Sequence, residues 1–200
     1  MHCSWCDSGF TWDASRYDLR AEATRATVAD IFDRALAGSP GLVVITGGEP
    51  LLHQHQPGWQ DLLRALRTAE VDIEIETNGT VVPAPPLLGN PRIRFNVSPK
   101  LAHASDPEHR RIVPAALAAL RDSHRAVFKF VCRGPGDVPE AARIAAEARI
   151  PPRTVWIMPE GVTPATVTAG LAAIADTAVE HGFNVTTRLH ILCWGNERGR

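Results

Sequence analysis

The sequence predicts an α/β protein with a mainly parallel sheet, arranged as a partial, open β/α barrel. Three observations carry this reading. Segments of helical period alternate with short apolar runs along the chain. Turn-forming clusters separate them, drawn from 15 Gly and 16 Pro. The 200 residues fall short of the about 250 that a closed eight-fold barrel uses, so an open one fits better.

Each element has its own justification. Asp18 to Leu36 reads as one amphipathic helix, with Ala21, Ala26, Val28, Ile31, Phe32 and Leu36 forming its stripe. Gly38, Ser39 and Pro40 end it. Leu42 to Ile45 is a short apolar run near glycines, as a buried strand would be. Trp59 to Thr68 reads as a helix. Val71 to Thr77 alternates apolar with acidic residues and reads as a strand. Pro83 to Pro91 is rich in Pro and Gly and reads as a loop standing in for a helix. Ile93 to Val97 is a strand, Pro114 to Asp122 a helix and Ala126 to Cys132 a strand. Val138 to Ala148 is a helix, Val155 to Met158 a strand and Pro164 to Glu180 a helix. Val185 to Cys193 reads as a closing strand. Alternation of this kind favours one parallel sheet with crossover helices in a single domain.

Composition narrows the function classes. Lys and Arg number 21 and Asp and Glu 22, giving a formal net charge of −1. Such a balance supplies no general pull toward nucleic acid or acidic membranes. Apolar residues make up 44% and charged residues 22%, a globular composition. Apolar runs such as Ala115 to Leu120 are far shorter than the ~20 residues of a membrane helix. No basic-then-apolar leader is recognisable at the start, so a cytoplasmic location is expected.

Functional loops of parallel sheets follow the C-terminal strand ends. Four polar or glycine-containing clusters fall there: Thr46-Gly47-Gly48-Glu49-Pro50, Thr77-Asn78-Gly79-Thr80, Ser98-Pro99-Lys100 and Met158-Pro159-Glu160-Gly161. Their coincidence on one rim suggests a shared pocket. In the first, two glycines let a ligand approach the backbone, and Glu49 offers a carboxylate to a cationic group. A tight turn is the alternative. Ser98 and Lys100 could hold a carboxylate or ribose hydroxyls, or simply cap a turn. Asn78-Gly79 by itself is an ordinary turn signal.

Of the four cysteines, Cys3 and Cys6 stand two residues apart near the start, a spacing suited to one metal centre or to redox chemistry. The pair is incomplete as a site. A zinc ion would need two more ligands, and His2 and Asp7 are not at a standard zinc spacing. Cys132 and Cys193 lie far away and read as small core residues.

The string Cys3-Ser4-Trp5-Cys6-Asp7-Ser8, a C-x-x-C loop with an aromatic inside it, resembles the cluster loop of radical S-adenosylmethionine (SAM) enzymes, whose signature is C-x3-C-x2-C. Gly47-Gly48-Glu49 is similar to their GGE motif. With Glu76 to Thr80, Ser98 to Leu101, and Leu189-His190 before Trp194-Gly195-Asn196, the chain resembles the 7-carboxy-7-deazaguanine synthases over nearly its whole length. The resemblance implies ring contraction of 6-carboxy-5,6,7,8-tetrahydropterin to 7-carboxy-7-deazaguanine with loss of ammonia, on the route to queuosine and related 7-deazapurines. It implies a [4Fe-4S] cluster on Cys3 and Cys6 that passes an electron to SAM, and Mg2+ on Ser8, where the family usually has Thr. It implies SAM contacts at Trp5, Cys6, Asp7, Gly48, Glu49, Ser98, Pro99, Lys100, Met158, Pro159, Glu160 and Gly161. Thr46 and His190 would face the pterin; a structural histidine is the alternative for His190. A flavodoxin- or ferredoxin-type reductant and a homodimer are implied partners.

The family's first cluster cysteine has no counterpart here. Its spacing places it two residues before Met1. The expectation is therefore that Met1 is an internal methionine, and that a first strand and a substrate loop precede it. Two thiolates hold a [4Fe-4S] cluster weakly, so poor turnover is expected of the chain as it stands. Two other readings stay open: another small radical SAM enzyme, such as an activase that makes glycyl radicals, or a non-catalytic remnant that binds SAM or a metal.

Overall fold

A computed structural model describes residues 9–197. Six strands form one sheet in the order β1-β2-β3-β4-β5-β6, every neighbouring pair parallel. The strands are β1 (Leu42–Ile45), β2 (Asp72–Thr77), β3 (Ile93–Val97), β4 (Ala126–Cys132), β5 (Val155–Pro159) and β6 (Asn184–Val185). Helices α1 (Leu19–Glu22) and α2 (Val28–Leu36) precede β1; α3 (Pro57–Thr68), α4 (Pro85–Leu88), α5 (Glu108–Arg111), α6 (Pro114–Asp122), α7 (Val138–Glu147) and α8 (Pro164–Glu180) lie between strands; and α9 (Leu189–Trp194) follows β6. Parallel strands need such crossovers, and a sheet wound in chain order opens every C-terminal strand end onto one rim.

The period-2 pattern of the strands separates two faces. Ile73, Ile75, Ile93, Phe95, Val97, Phe128, Phe130, Val155 and Ile157 are buried. They form one core with Leu66, Leu117, Leu120, Ile144, Ala145 and Ile174 from the helices. The opposite face carries Glu74, Glu76, Arg94, Asn96 and Lys129. Arg94 Nε donates to Glu74 Oε2 at 2.8 Å, and Asn96 Nδ2 donates to Glu76 Oε1 at 3.3 Å. Lys129 Nζ stands 3.8 Å from Glu76 Oε1. The sheet is thus apolar toward its helices, and on its other face strands β2 to β4 carry a charged cluster.

Three segments differ from their sequence readings. The single helix read over Asp18 to Leu36 is two helices. Asp18 caps α1, and Thr27 restarts the chain as the N-cap of α2, so a cap replaces a helix interior. The Thr27 hydroxyl accepts from Asp30 N–H at 3.1 Å, and Asp30 Oδ2 accepts from Thr27 N–H at 3.0 Å, a reciprocal box. The closing strand read over Val185 to Cys193 is only β6 followed by α9. The Arg188 carbonyl accepts from Ile191 and Leu192 N–H at 3.0 and 3.3 Å, so the backbone turns helical there. An apolar run this short fits either state. Within Pro83 to Pro91 the chain forms the one-turn helix α4, anchored by buried Leu87.

Candidate functional site

Three of the four rim clusters, those after β1, β2 and β3, are joined by hydrogen bonds. Glu49 is their hub. Only 9% exposed, it follows the Gly47-Gly48 turn and caps the short Pro50–His53 helical turn. Its Oε1 accepts from Leu51 N–H at 3.1 Å and from the Thr77 hydroxyl at 2.8 Å, and its Oε2 accepts from Asn78 N–H at 2.8 Å. The loop after β1 is therefore locked to the loop after β2. A carboxylate offers about four acceptor sites, and three are used here. The remaining one suits a cationic or N–H donor from a ligand.

Asn78-Gly79 is a turn, as the dipeptide indicates, and it also holds the hub. Asn78 Oδ1 accepts from Thr80 N–H at 2.9 Å, and the Thr77 hydroxyl accepts from Gly79 N–H at 3.2 Å. Gly79 has φ +77°, and a Cβ there would stand 2.9 Å from Val97 Cγ1 and 3.1 Å from Leu117 Cδ2. Only glycine satisfies both constraints.

Gly48 is exposed and Gly47 has open space where a Cβ would lie. A Cβ on Gly48 would meet Thr11 Oγ1 at 3.7 Å, which brings the Gly9–Thr11 turn beside the glycine pair. Thr46 is exposed, and its hydroxyl donates to Glu76 Oε2 at 3.0 Å, tying the rim to the charged face.

The loop after β3 lies next along the rim. Ser98 N–H donates to the Thr77 carbonyl at 2.7 Å. Lys100 Nζ donates to the Ser98 hydroxyl at 2.9 Å, and Pro99 is buried between them. At β5, Met158 is half-buried and Pro159 buried. Glu160 N–H donates to the Cys132 carbonyl at 2.8 Å, and its carboxylate accepts from Arg133 Nε at 3.0 Å. The Gly161 carbonyl accepts from Arg188 Nη1 at 2.8 Å, joining this loop to the start of α9.

His190 is exposed on α9 rather than at a strand end, two residues beyond buried Arg188. Trp5, Cys6, Asp7, Cys3 and Ser8 lie outside the described residues. Among the described residues, no group of three or more His, Cys, Asp or Glu is placed to hold a metal ion. Cys132 is buried, as read; burial, reinforced by the charges of Asp137 and Glu140, pushes its thiol up to about 12. Cys193 is exposed on α9, not in the core. The residues that sequence reasoning missed are braces: Arg111, Glu140, Arg188 and His103. His103 Nε2 bonds the Val131 carbonyl at 3.1 Å and lies 3.5 Å from Asp137 Oδ2. No local motif marks any of them; Arg111 sits in Glu108-His109-Arg110-Arg111, which reads as a solvated charge run.

The six-stranded parallel order, with its polar rim and the charged cluster on its other face, defines an open β/α barrel of the radical SAM type. The same architecture occurs in SuiB of Streptococcus suis, solved with the precursor peptide SuiA and with S-adenosylmethionine. The TM-scores are 0.62 and 0.59 and the identities 17% and 15%, over 96% of this chain. The chain spans about half the length of SuiB, at 48% and 47%. No protein-family profile matches the chain. Curated relatives do. The chain is 38% identical over 203 residues to the 7-carboxy-7-deazaguanine synthase of Pyrobaculum aerophilum, covering all of this chain and 84% of that one. It is 34% identical to the Halobacterium salinarum synthase, over 98% of this chain and 79% of the relative, and 32% identical to that of Hyperthermus butylicus, over 96% and 79%. The chain belongs to the 7-carboxy-7-deazaguanine synthase family.

Proposed function

We propose that this chain acts as a radical SAM enzyme that contracts 6-carboxy-5,6,7,8-tetrahydropterin to 7-carboxy-7-deazaguanine with loss of ammonia. The observation that carries the reading is Glu49, a buried carboxylate held by three donors, with one acceptor site left beside an open glycine pair. Family membership makes SAM the cofactor to match to it, and the donor set fits. Glu49 takes the amino group of SAM, and Gly48 lets the methionine end lie against the backbone. Ser98 and Lys100 supply a hydroxyl and an ammonium to ribose or carboxylate oxygens, with Pro99 shaping the wall. Met158, Pro159, Glu160 and Gly161 border the adenine end. Thr46 and His190 are assigned to the pterin.

Cys3 and Cys6 would ligate the [4Fe-4S] cluster, Ser8 would offer an oxygen to Mg2+, and Trp5, Cys6 and Asp7 would lie against SAM. The cluster and SAM together, when bound, supply hydrogen-atom abstraction at an unactivated carbon. The chain's own part is to hold SAM and pterin in one orientation and to keep water from the reacting carbon. A flavodoxin- or ferredoxin-type protein is the fitting electron donor. A homodimer is part of the same reading.

The test is anaerobic. The protein is reconstituted with iron and sulfide and incubated with SAM, dithionite, Mg2+ and the carboxy-tetrahydropterin, and products are read by mass spectrometry. 7-Carboxy-7-deazaguanine is expected at low turnover, in keeping with a cluster held by only Cys3 and Cys6, with SAM cleaved or recycled as it forms. SAM cleavage without that product overturns the substrate assignment. Absence of both SAM cleavage and product from protein with its cluster fully reconstituted overturns the enzyme assignment and leaves a SAM-binding remnant.

A further inference from the structure

The loop carrying Ser98, Pro99 and Lys100 is held from beneath by an ion pair between buried Arg111 and half-buried Glu140. Arg111, at the end of α5, is only 4% exposed. Its Nη1 donates to the Lys100 carbonyl at 2.8 Å, and its Nη2 stands 2.8 Å from Glu140 Oε1. Glu140, in the first turn of α7, accepts from Ala102 N–H with both oxygens, at 3.2 and 3.0 Å. The pair therefore grips the loop's main chain on both sides of Leu101, itself fully buried. Arg143 and Glu108 extend the network outward, with Arg143 Nη2 2.9 Å from Glu108 Oε2.

As filler this arrangement is expensive. A guanidinium leaves water, and Arg111 Nε is buried without a hydrogen-bond partner. Apolar residues of similar volume would fill the space at lower desolvation cost. What only the charged pair supplies is a directional, charge-assisted hold on one carbonyl and one N–H of the same loop. That hold sets the backbone of Lys100, whose ammonium in turn meets the Ser98 hydroxyl at 2.9 Å. Release of the Lys100 carbonyl frees its peptide to rotate and moves both polar groups together.

We propose that Arg111 and Glu140 are positioning residues for the SAM subsite, acting through Ser98 and Lys100. The proposal rests on the reading above that this loop contacts SAM. It adds two residues that touch no ligand and that stand on two different helices.

The test uses the full chain, reconstituted with iron and sulfide, with SAM as the probe in equilibrium dialysis. The double variant Arg111→Met/Glu140→Gln removes both charges, so no lone buried ion remains, and it keeps an amide oxygen for Ala102 N–H. It is expected to fold, to weaken SAM binding about tenfold, and to speed hydrogen exchange at residues 100–102 without SAM present. Arg64→Ala, which breaks the exposed Arg64–Asp61 pair on α3, is the control and leaves the affinity unchanged. Ser98→Ala/Lys100→Met separates the two layers. If it weakens SAM binding while the double variant, shown folded by circular dichroism, binds normally, the brace is overturned and the loop reading stands. If neither affects SAM binding, both are overturned. Should the double variant fail to fold, Arg111→Lys decides: it keeps the charge but not the fork, and wild-type affinity with wild-type exchange overturns the brace.

Discussion

Glu49 accepts from a hydroxyl and two N–H groups, so its chemistry cannot be copied by an amide. In Glu49→Gln one acceptor oxygen becomes a donor facing donors. A stability loss of about 1–3 kcal/mol is expected on urea denaturation, together with at least about tenfold weaker SAM binding. Unchanged affinity would remove Glu49 from the SAM site. Cys132 makes a second test at this scale. Its thiol is held neutral by burial, with a folded value of about 12 against an ordinary 9.0. The unfolded chain therefore loses this proton first, so stability is intact below pH 9 and falls as pH rises from there toward 12. Cys132→Ala should flatten that alkaline limb in thermal melts at stepped pH. Iodoacetamide at pH 8, followed by peptide mapping, should modify exposed Cys193 and spare Cys132 until the chain is unfolded.

Elements with their own start signals are the ones the sequence shows well. Pro114 and Pro164 open α6 and α8 at first-turn positions, and their spans are read to the residue. The apolar-acidic alternation of β2 is likewise visible, including which residues face the charged side. The break at Thr27 was hidden because the apolar stripe runs through it; the stop comes from the Thr27–Asp30 box, a hydrogen-bond event that hydrophobic period does not report. That box has a pH signature. The Thr27 hydroxyl and N–H hold the Asp30 carboxyl below the usual carboxylate range, so its support of α2 is present above that range and is lost as pH falls through the lowered value. Thr27→Ala should cost about 1 kcal/mol, read from the urea midpoint. Between elements, Gly79→Ala sets a Cβ against β3 and α6 in a left-handed turn. A loss of about 3 kcal/mol is expected, and a shift below about 0.5 kcal/mol would show that Val97 and Leu117 give way.

Across the whole molecule, the strand-end rule located the rim from sequence. The loops of β1, β2 and β3 are linked there, with Glu49 joining the first two directly, while the β5 loop is tied to β4 and α9. The braces were not legible, because Arg111, Glu140 and Arg188 work through main-chain atoms that no residue pattern names. The two-faced sheet also sets where the molecule opens first. Strands β2 to β5 have partners on both sides and carry most of the core, whereas β6 offers two residues and α9 buries only Ile191. Native-state hydrogen exchange should be slowest in β3 and β4 and fastest in β6 and α9; equal protection across the sheet would contradict this ordering. The unbroken strand order carries a further consequence, for synthesis. As the polypeptide leaves the ribosome, each new strand from β2 to β6 finds its earlier neighbour already laid down a short stretch of chain behind it. The barrel can therefore be assembled in the direction of translation, with no early strand left waiting for a partner made last.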